Sequence, residues 1–275
     1  MLNHPPSEIL DYIVDLLHDK PETLEQCCLV AKSWVPRSRK HLFAAIAFHA
    51  PSELGTWKKT FPDPSNSPAY HTHTLLVECP EAVTAADAEE GGWIRAFSRV
   101  KRLYLGWSMA SNWGVFPFHT FSPTLKSLEV SCIILPVSRL FDLIHSLPLL
   151  EELSILGQNA THDDKLNEPQ TGISPSTSPT FTGTLNLLRF PETHCIARRL
   201  LELPNGLHFR KLGLSWRNEG GLRSVVGLME ACSGTLECLD IAGAGLFCLS
   251  TGPTINSGFG LQVDPHPAAH LTSPK

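Results

Sequence analysis

No dense run of lysine and arginine occurs in this chain: its 22 basic and 27 acidic residues are dispersed, for a formal net charge of -5. Phosphate backbones and anionic membranes are held by concentrated positive charge, so neither nucleic acid nor membrane is an expected partner. Long apolar runs are missing as well. The most apolar stretches, Leu42 to Phe48 and Cys132 to Val137, fall far short of the roughly 20 residues that span a bilayer. Pro5, Pro6, Ser7 and Glu8 interrupt the first ten residues before a signal-peptide core could form. The eight cysteines include no C-x-x-C pair, which argues against a zinc or disulfide framework and for reduced thiols packing as small apolar groups. A soluble cytoplasmic or nuclear protein is expected.

Catalytic signatures are equally scarce. There is no G-x-S-x-G elbow, Walker loop, H-E-x-x-H or dinucleotide fingerprint. His71-x-His73 and His162-Asp163-Asp164 are the only suggestive clusters, and neither has a further ligand or nucleophile at a recognised spacing. The expectation is no enzyme, no catalytic residue, no metal and no cofactor.

What the chain does have is 42% hydrophobic content over 275 residues, enough for a sizeable core in one or two domains. Ser7 before Glu8 predicts a helix start, and Ile9, Leu10, Ile13, Leu16 and Leu17 recur at the spacing of one helical stripe. A second helix is predicted from a capping box at either Asp19 or Thr23, running through Leu24 and Cys27 to Ala31 as far as Trp34, where Pro36 disfavours its continuation. A third, short helix covers Arg39 to Phe43. Three helices in roughly 40 residues cannot hide every apolar side chain. Four such side chains left for a partner would supply roughly 6 to 12 kcal/mol before association costs.

Pro6-Ser7-Glu8-Ile9, Ile13, Leu17, Leu24, Leu29-Val30-Ala31-Lys32-Ser33-Trp34 and a closing Leu42-Phe43 together resemble the F-box motif over residues 2 to 43. The chain departs from that motif at Pro5, where the family usually has Leu, and in the spacing around Lys20-Pro21. The resemblance implies docking on the Skp-type adaptor of a cullin-RING ubiquitin ligase through Pro6, Ile9, Ile13, Leu17, Leu24, Val30 and Trp34. The alternative is a helical cap that buries the same residues internally.

From Phe43 onward an apolar-x-x-apolar-x-apolar pattern returns eight times: Phe43/Ile46/Phe48, Thr72/Leu75/Val77, Val100/Leu103/Leu105, Leu125/Leu128/Val130, Leu150/Leu153/Ile155, Leu185/Leu188/Phe190, Phe209/Leu212/Leu214 and Leu236/Leu239/Ile241. The middle residues are separated by 29, 28, 25, 25, 35, 24 and 27 positions. Units of this length, one short strand and a return, bury their apolar face only by stacking on neighbours. Pro136 to Leu147, Cys195 to Leu203 and Leu222 to Cys232 carry helical stripes suited to the returns.

The pattern resembles leucine-rich repeats, without the Asn that follows each strand in regular ones. An F-box followed at once by such repeats is similar to substrate receptors of the F-box/leucine-rich-repeat type, which include a large fungal group. The implied fold is an α/β repeat: a three-helix module at 2-43, then an irregular solenoid at 44-242 with short parallel strands on its concave side and helices on its convex side. A loop insertion is expected at about 157-183, another surface excursion at Glu81 to Gly92, and a disordered or shortened tail at 243-275. The implied function is a substrate-receptor adaptor holding an unidentified target protein, or else a repeat scaffold with no ubiquitin link.

Alternate residues of a strand face opposite sides, so the position between the last two apolar residues of each triplet forms an outward lane: Tyr104, Glu129, Ser154, Arg189, Gly213 and Asp240. These are the candidate target-binding residues. Arg102, Trp107 and Trp216 flank them with side chains that often anchor interfaces.

Overall fold

A computed structural model describes residues 6-89, 92-106, 118-132, 146-157, 182-188, 193-202, 206-216 and 219-243, all within one compact unit, Met1–Ala244. The tail at 243-275 beyond its first residue, most of the 157-183 insertion, the Pro136 helix up to residue 145, and the His162 cluster lie outside the described residues.

Three helices open the fold: α1 (Ser7–Leu16), α2 (Pro21–Val30) and α3 (Val35–Leu42). Their ends differ from the sequence expectation in instructive ways. Ser7 is the first helical residue and Pro6 occupies the cap position, so no side chain caps the helix. Neither capping box forms before α2, which begins on Pro21. Pro36 lies in the first turn of α3 and helps to start it, because the first turn needs no amide hydrogen from that residue and its fixed φ is already helical.

The rest is an α/β arrangement around one eight-stranded parallel sheet in strict sequential order. The strands are β1 (Ala45–Phe48), β2 (Thr74–Val77), β3 (Arg102–Leu105), β4 (Ser127–Cys132), β5 (Glu152–Gly157), β6 (Thr184–Leu188), β7 (Lys211–Trp216) and β8 (Cys238–Gly243). Helices α4 (Pro51–Thr60), α5 (Thr193–Leu201) and α6 (Glu219–Cys232) provide returns, in line with the stripes at Cys195 and Leu222. Elsewhere the returns include short 3-10 turns, Pro68–His71, Trp93–Phe97 and Phe118–Thr120 among them, so helices do not form the whole outer layer.

The triplet pattern is the sheet register seen edge on. Leu75, Leu103 and Leu128 align in successive strands, and they are buried with Val77, Leu105 and Val130. One triplet is displaced. Leu185, not Leu188, pairs with Leu153 and Leu212, and Leu187, not Phe190, pairs with Ile155 and Leu214. Four apolar residues within Leu185–Phe190 allowed two readings three positions apart, and cross-strand pairing selects the one that buries Leu185 and Leu187.

Two sets of hydrogen bonds tie units together. Just before most strands, one carbonyl accepts two amide hydrogens from the following unit: Ala44 from His73 and Thr74, Lys101 from Lys126 and Ser127, Arg210 from Glu237 and Cys238. Threonine hydroxyls make the second set, with Thr72 donating to the Phe43 carbonyl at 2.9 Å, Thr124 to Val100 at 2.8 Å and Thr235 to Phe209 at 3.1 Å. Both sets satisfy backbone acceptors at the edge of a core where unpaired ones would be costly.

The segment Glu81 to Gly92 is not a surface excursion throughout. Cys79, Val83 and Trp93 are buried, and Asp87 is buried beside Lys58 of α4 at 2.7 Å while accepting the amide and hydroxyl of Thr84. Its small residues let two 3-10 turns, Pro80–Ala82 and Ala85–Ala88, fold back against the core. Phe48, Trp57, Trp93 and Phe97 meet there edge to face or tilted, with ring centres 5.6 to 6.3 Å apart, a geometry favoured by aromatic quadrupoles.

Candidate functional site

The N-terminal helices carry apolar residues on two sides. In α1, Leu10, Val14 and Leu17 fall on one stripe, and Val14 is fully buried with Leu24 and Cys27 of α2. Ile9, Tyr12, Ile13 and Leu16 fall on the other at the same helical spacing, and all are exposed. Tyr12 is 64% exposed, Leu29 80% and Val30 69%, the last two at the C-terminal end of α2. Single exposed apolar residues are ordinary, but six in one small unit are not.

A polar latch fixes α1 against α3. Asp15 accepts hydrogen bonds from two Arg37 nitrogens, Nε at 2.6 Å and Nη2, and contacts His41 Nε2 at 2.7 Å. The Arg37 guanidinium, with His41 second, holds the Asp15 carboxyl well below the usual carboxylate range. A bidentate pair of this kind sets orientation as well as proximity, so the helix that bears the exposed stripe is held in one rotation.

Of the residues expected to dock an adaptor, Pro6, Ile9, Ile13 and Val30 are exposed, while Leu17 and Trp34 are half-buried. Leu24 is 1% exposed and belongs to the internal core, a correction to its expected surface role. Tyr12, Leu16 and Leu29 join the exposed set. Leu16 was visible on the sequence stripe, whereas Tyr12 sat outside it and only the packing of Val14 reveals which side of α1 faces out.

On the sheet, Tyr104, Glu129 and Ser154 stand in register on β3, β4 and β5, followed by Asn186, Gly213 and Asp240 on β6, β7 and β8. Asn186 replaces Arg189 in the lane, as the register of β6 requires. Arg189 and Trp107 lie outside the described residues, and Trp216 is placed only as the last residue of β7. A side chain on Gly213 would come within 2.4 Å of Asn186 Oδ1, so glycine leaves that amide room to lie across the neighbouring strand.

Arg102, exposed, precedes Tyr104 on β3. Along the strand entrances Lys126 Nζ reaches Glu151 at 2.5 Å and Arg210 Nε approaches Glu237 at 3.8 Å. Glu129 is different: it is half-buried, no ion pair or hydrogen bond engages its carboxylate among the described residues, and burial pushes its pKa up. Burial likewise raises the Tyr104 hydroxyl, with Glu129 adding to the effect.

Among the described residues no three His, Cys, Asp or Glu side chains gather as metal ligands, and no helix is long and apolar enough to cross a membrane. His71 stacks on Tyr70, and burial first, then Arg99 and Lys40, lowers its pKa. His73 Nδ1 faces the Arg99 carbonyl at 3.3 Å. Compared with models of protein families, with curated proteins and with solved structures, the chain matches none.

Proposed function

We propose that this chain is a substrate-receptor adaptor of the F-box/leucine-rich-repeat type, whose three helices dock on the Skp-type adaptor of a cullin-RING ubiquitin ligase and whose sheet face holds a target protein. The observation that carries this reading is the outward apolar stripe of Ile9, Tyr12, Ile13 and Leu16, with Leu29 and Val30 beside it. Burying what remains exposed of these six side chains contributes roughly 5 to 9 kcal/mol before association costs. A helical cap with no partner would turn that stripe inward. The eight-stranded parallel sheet with its regular register supports a solenoid reading of the rest. On this reading the chain performs no chemistry itself, and tethering raises the effective concentration of target lysines at the ligase.

The test is capture by the purified Skp-type adaptor. Wild type binds at micromolar concentration or better, whereas Ile13→Asp and Leu29→Asp lose binding while keeping their thermal transition, since both side chains are exposed. Failure of the wild type to bind overturns the ubiquitin link and leaves a repeat scaffold.

A further inference from the structure

The lane contains two carboxylates, Glu129 and Asp240, and among the described residues neither is engaged by an ion pair or hydrogen bond; Glu129 is the partly buried one. Glu129 lies mid-strand in β4 with Ser127 and Ser131 two residues away on either side, so all three share the outward face. Tyr104 and Ser154 stand directly across from it on β3 and β5. Each of these four neighbours is partly buried. Three short hydroxyl residues and one ring thus flank the carboxylate on a patch three strands wide, its outer strands about 10 Å apart.

Two cations at the entrances of β3 and β4 do not pair with it among the described residues. Lys126 is committed to Glu151, and Arg102, two residues before Tyr104 on β3, makes no ion pair with Glu129. Glu152, which acts on the Tyr104 hydroxyl together with Glu129, adds a second negative charge nearby. A partly desolvated carboxylate without a counterion stabilises an incoming cation more than an exposed one does.

We propose that the sheet-face patch of Tyr104, Ser127, Glu129, Ser131 and Ser154 receives a lysine or arginine side chain of the protein held on the sheet. Glu129 supplies the charge, the serine hydroxyls accept the remaining N-H groups, and the Tyr104 ring offers its face to the cation. This inference rests on the receptor reading only in taking the sheet face as the target surface.

The test uses the full chain without any ligase component, challenged with degenerate nonapeptide pools whose central residue is fixed as Arg, Lys, Gln or Glu. Wild type retains the Arg and Lys pools at least tenfold over the Gln pool. Glu129→Gln removes that preference, and Glu129→Lys transfers it to the Glu pool. Circular dichroism and Tm establish that each variant is folded, and should Glu129→Lys unfold, the near-isosteric Glu129→Gln decides. Equal retention of the four pools by wild type, no retention of any, or an unchanged preference in Glu129→Gln overturns the proposal. Adaptor capture is read on the helices alone, so failure of one experiment does not imply failure of the other.

Discussion

Two carboxylates are moved in opposite directions by this fold. Asp15 is held ionised by Arg37 and His41, so the stability it contributes is complete above the ordinary Asp value of about 3.9 and is lost as pH falls through the depressed folded value. Asp15→Asn therefore lowers Tm at pH 7, by an amount that shrinks in high salt and vanishes at strongly acid pH. Glu129 is raised by burial. Its protonated form favours the folded state below the ordinary Glu value of about 4.3, and that advantage is lost as pH rises through the elevated folded value. Glu129→Gln accordingly raises Tm at pH 7 to 8, and the gain disappears near pH 4. A pH series of thermal melts checks both signs.

Within the elements, the same residue type has different weight according to the side it faces. Leu24 and Leu29 lie five residues apart in α2, one buried and one exposed. Leu24→Ala costs about 2 to 5 kcal/mol in urea unfolding, through lost burial and the cavity left behind, whereas Leu29→Ala stays within about 0.5 kcal/mol. In the strand entrance before β6, a Cβ on Gly183 would lie 1.5 Å from the Glu151 carbonyl oxygen, which accepts the Thr184 amide. Backbone cannot yield there as a flexible side chain could, so Gly183→Ala destabilises by about 2 kcal/mol or more. Gly213→Ala meets only the movable end of Asn186 and costs less.

Across the whole molecule, stacking of units makes stability depend on position along the sheet. Leu128 and Leu239 occupy equivalent places in β4 and β8, but Leu128 has neighbours on both sides and is fully buried, while Leu239 is only partly buried and Ile241 beside it is exposed. Leu128→Ala costs about 2 to 5 kcal/mol by chemical denaturation, and Leu239→Ala about half as much or less. Equal costs would contradict the unequal burial of the two units.

The spacing of Leu75, Leu103, Leu128 and Leu153, and again of Leu212 and Leu239, determined the repeating strands by itself, because a pattern that buries alternate residues every 25 to 28 positions has few other ways to pack. It determined five positions of the lane for the same reason. Helix existence in the N-terminal 43 residues was legible too. Only the tertiary structure decided the rest. Cross-strand pairing chose Leu185 over Leu188 and so Asn186 over Arg189, since both readings satisfy the local pattern and only one matches its neighbours. Packing of α1 on α2 and α3 decided that Leu24 turns inward and Tyr12 outward, because a helix with apolar residues on two sides contains no local signal for which side meets the core. Pairing of Asp15 with Arg37, 22 residues away, and the lack of any such partner for Glu129 among the described residues are equally matters of three-dimensional proximity. The chemistry of both carboxylates is set by their neighbours.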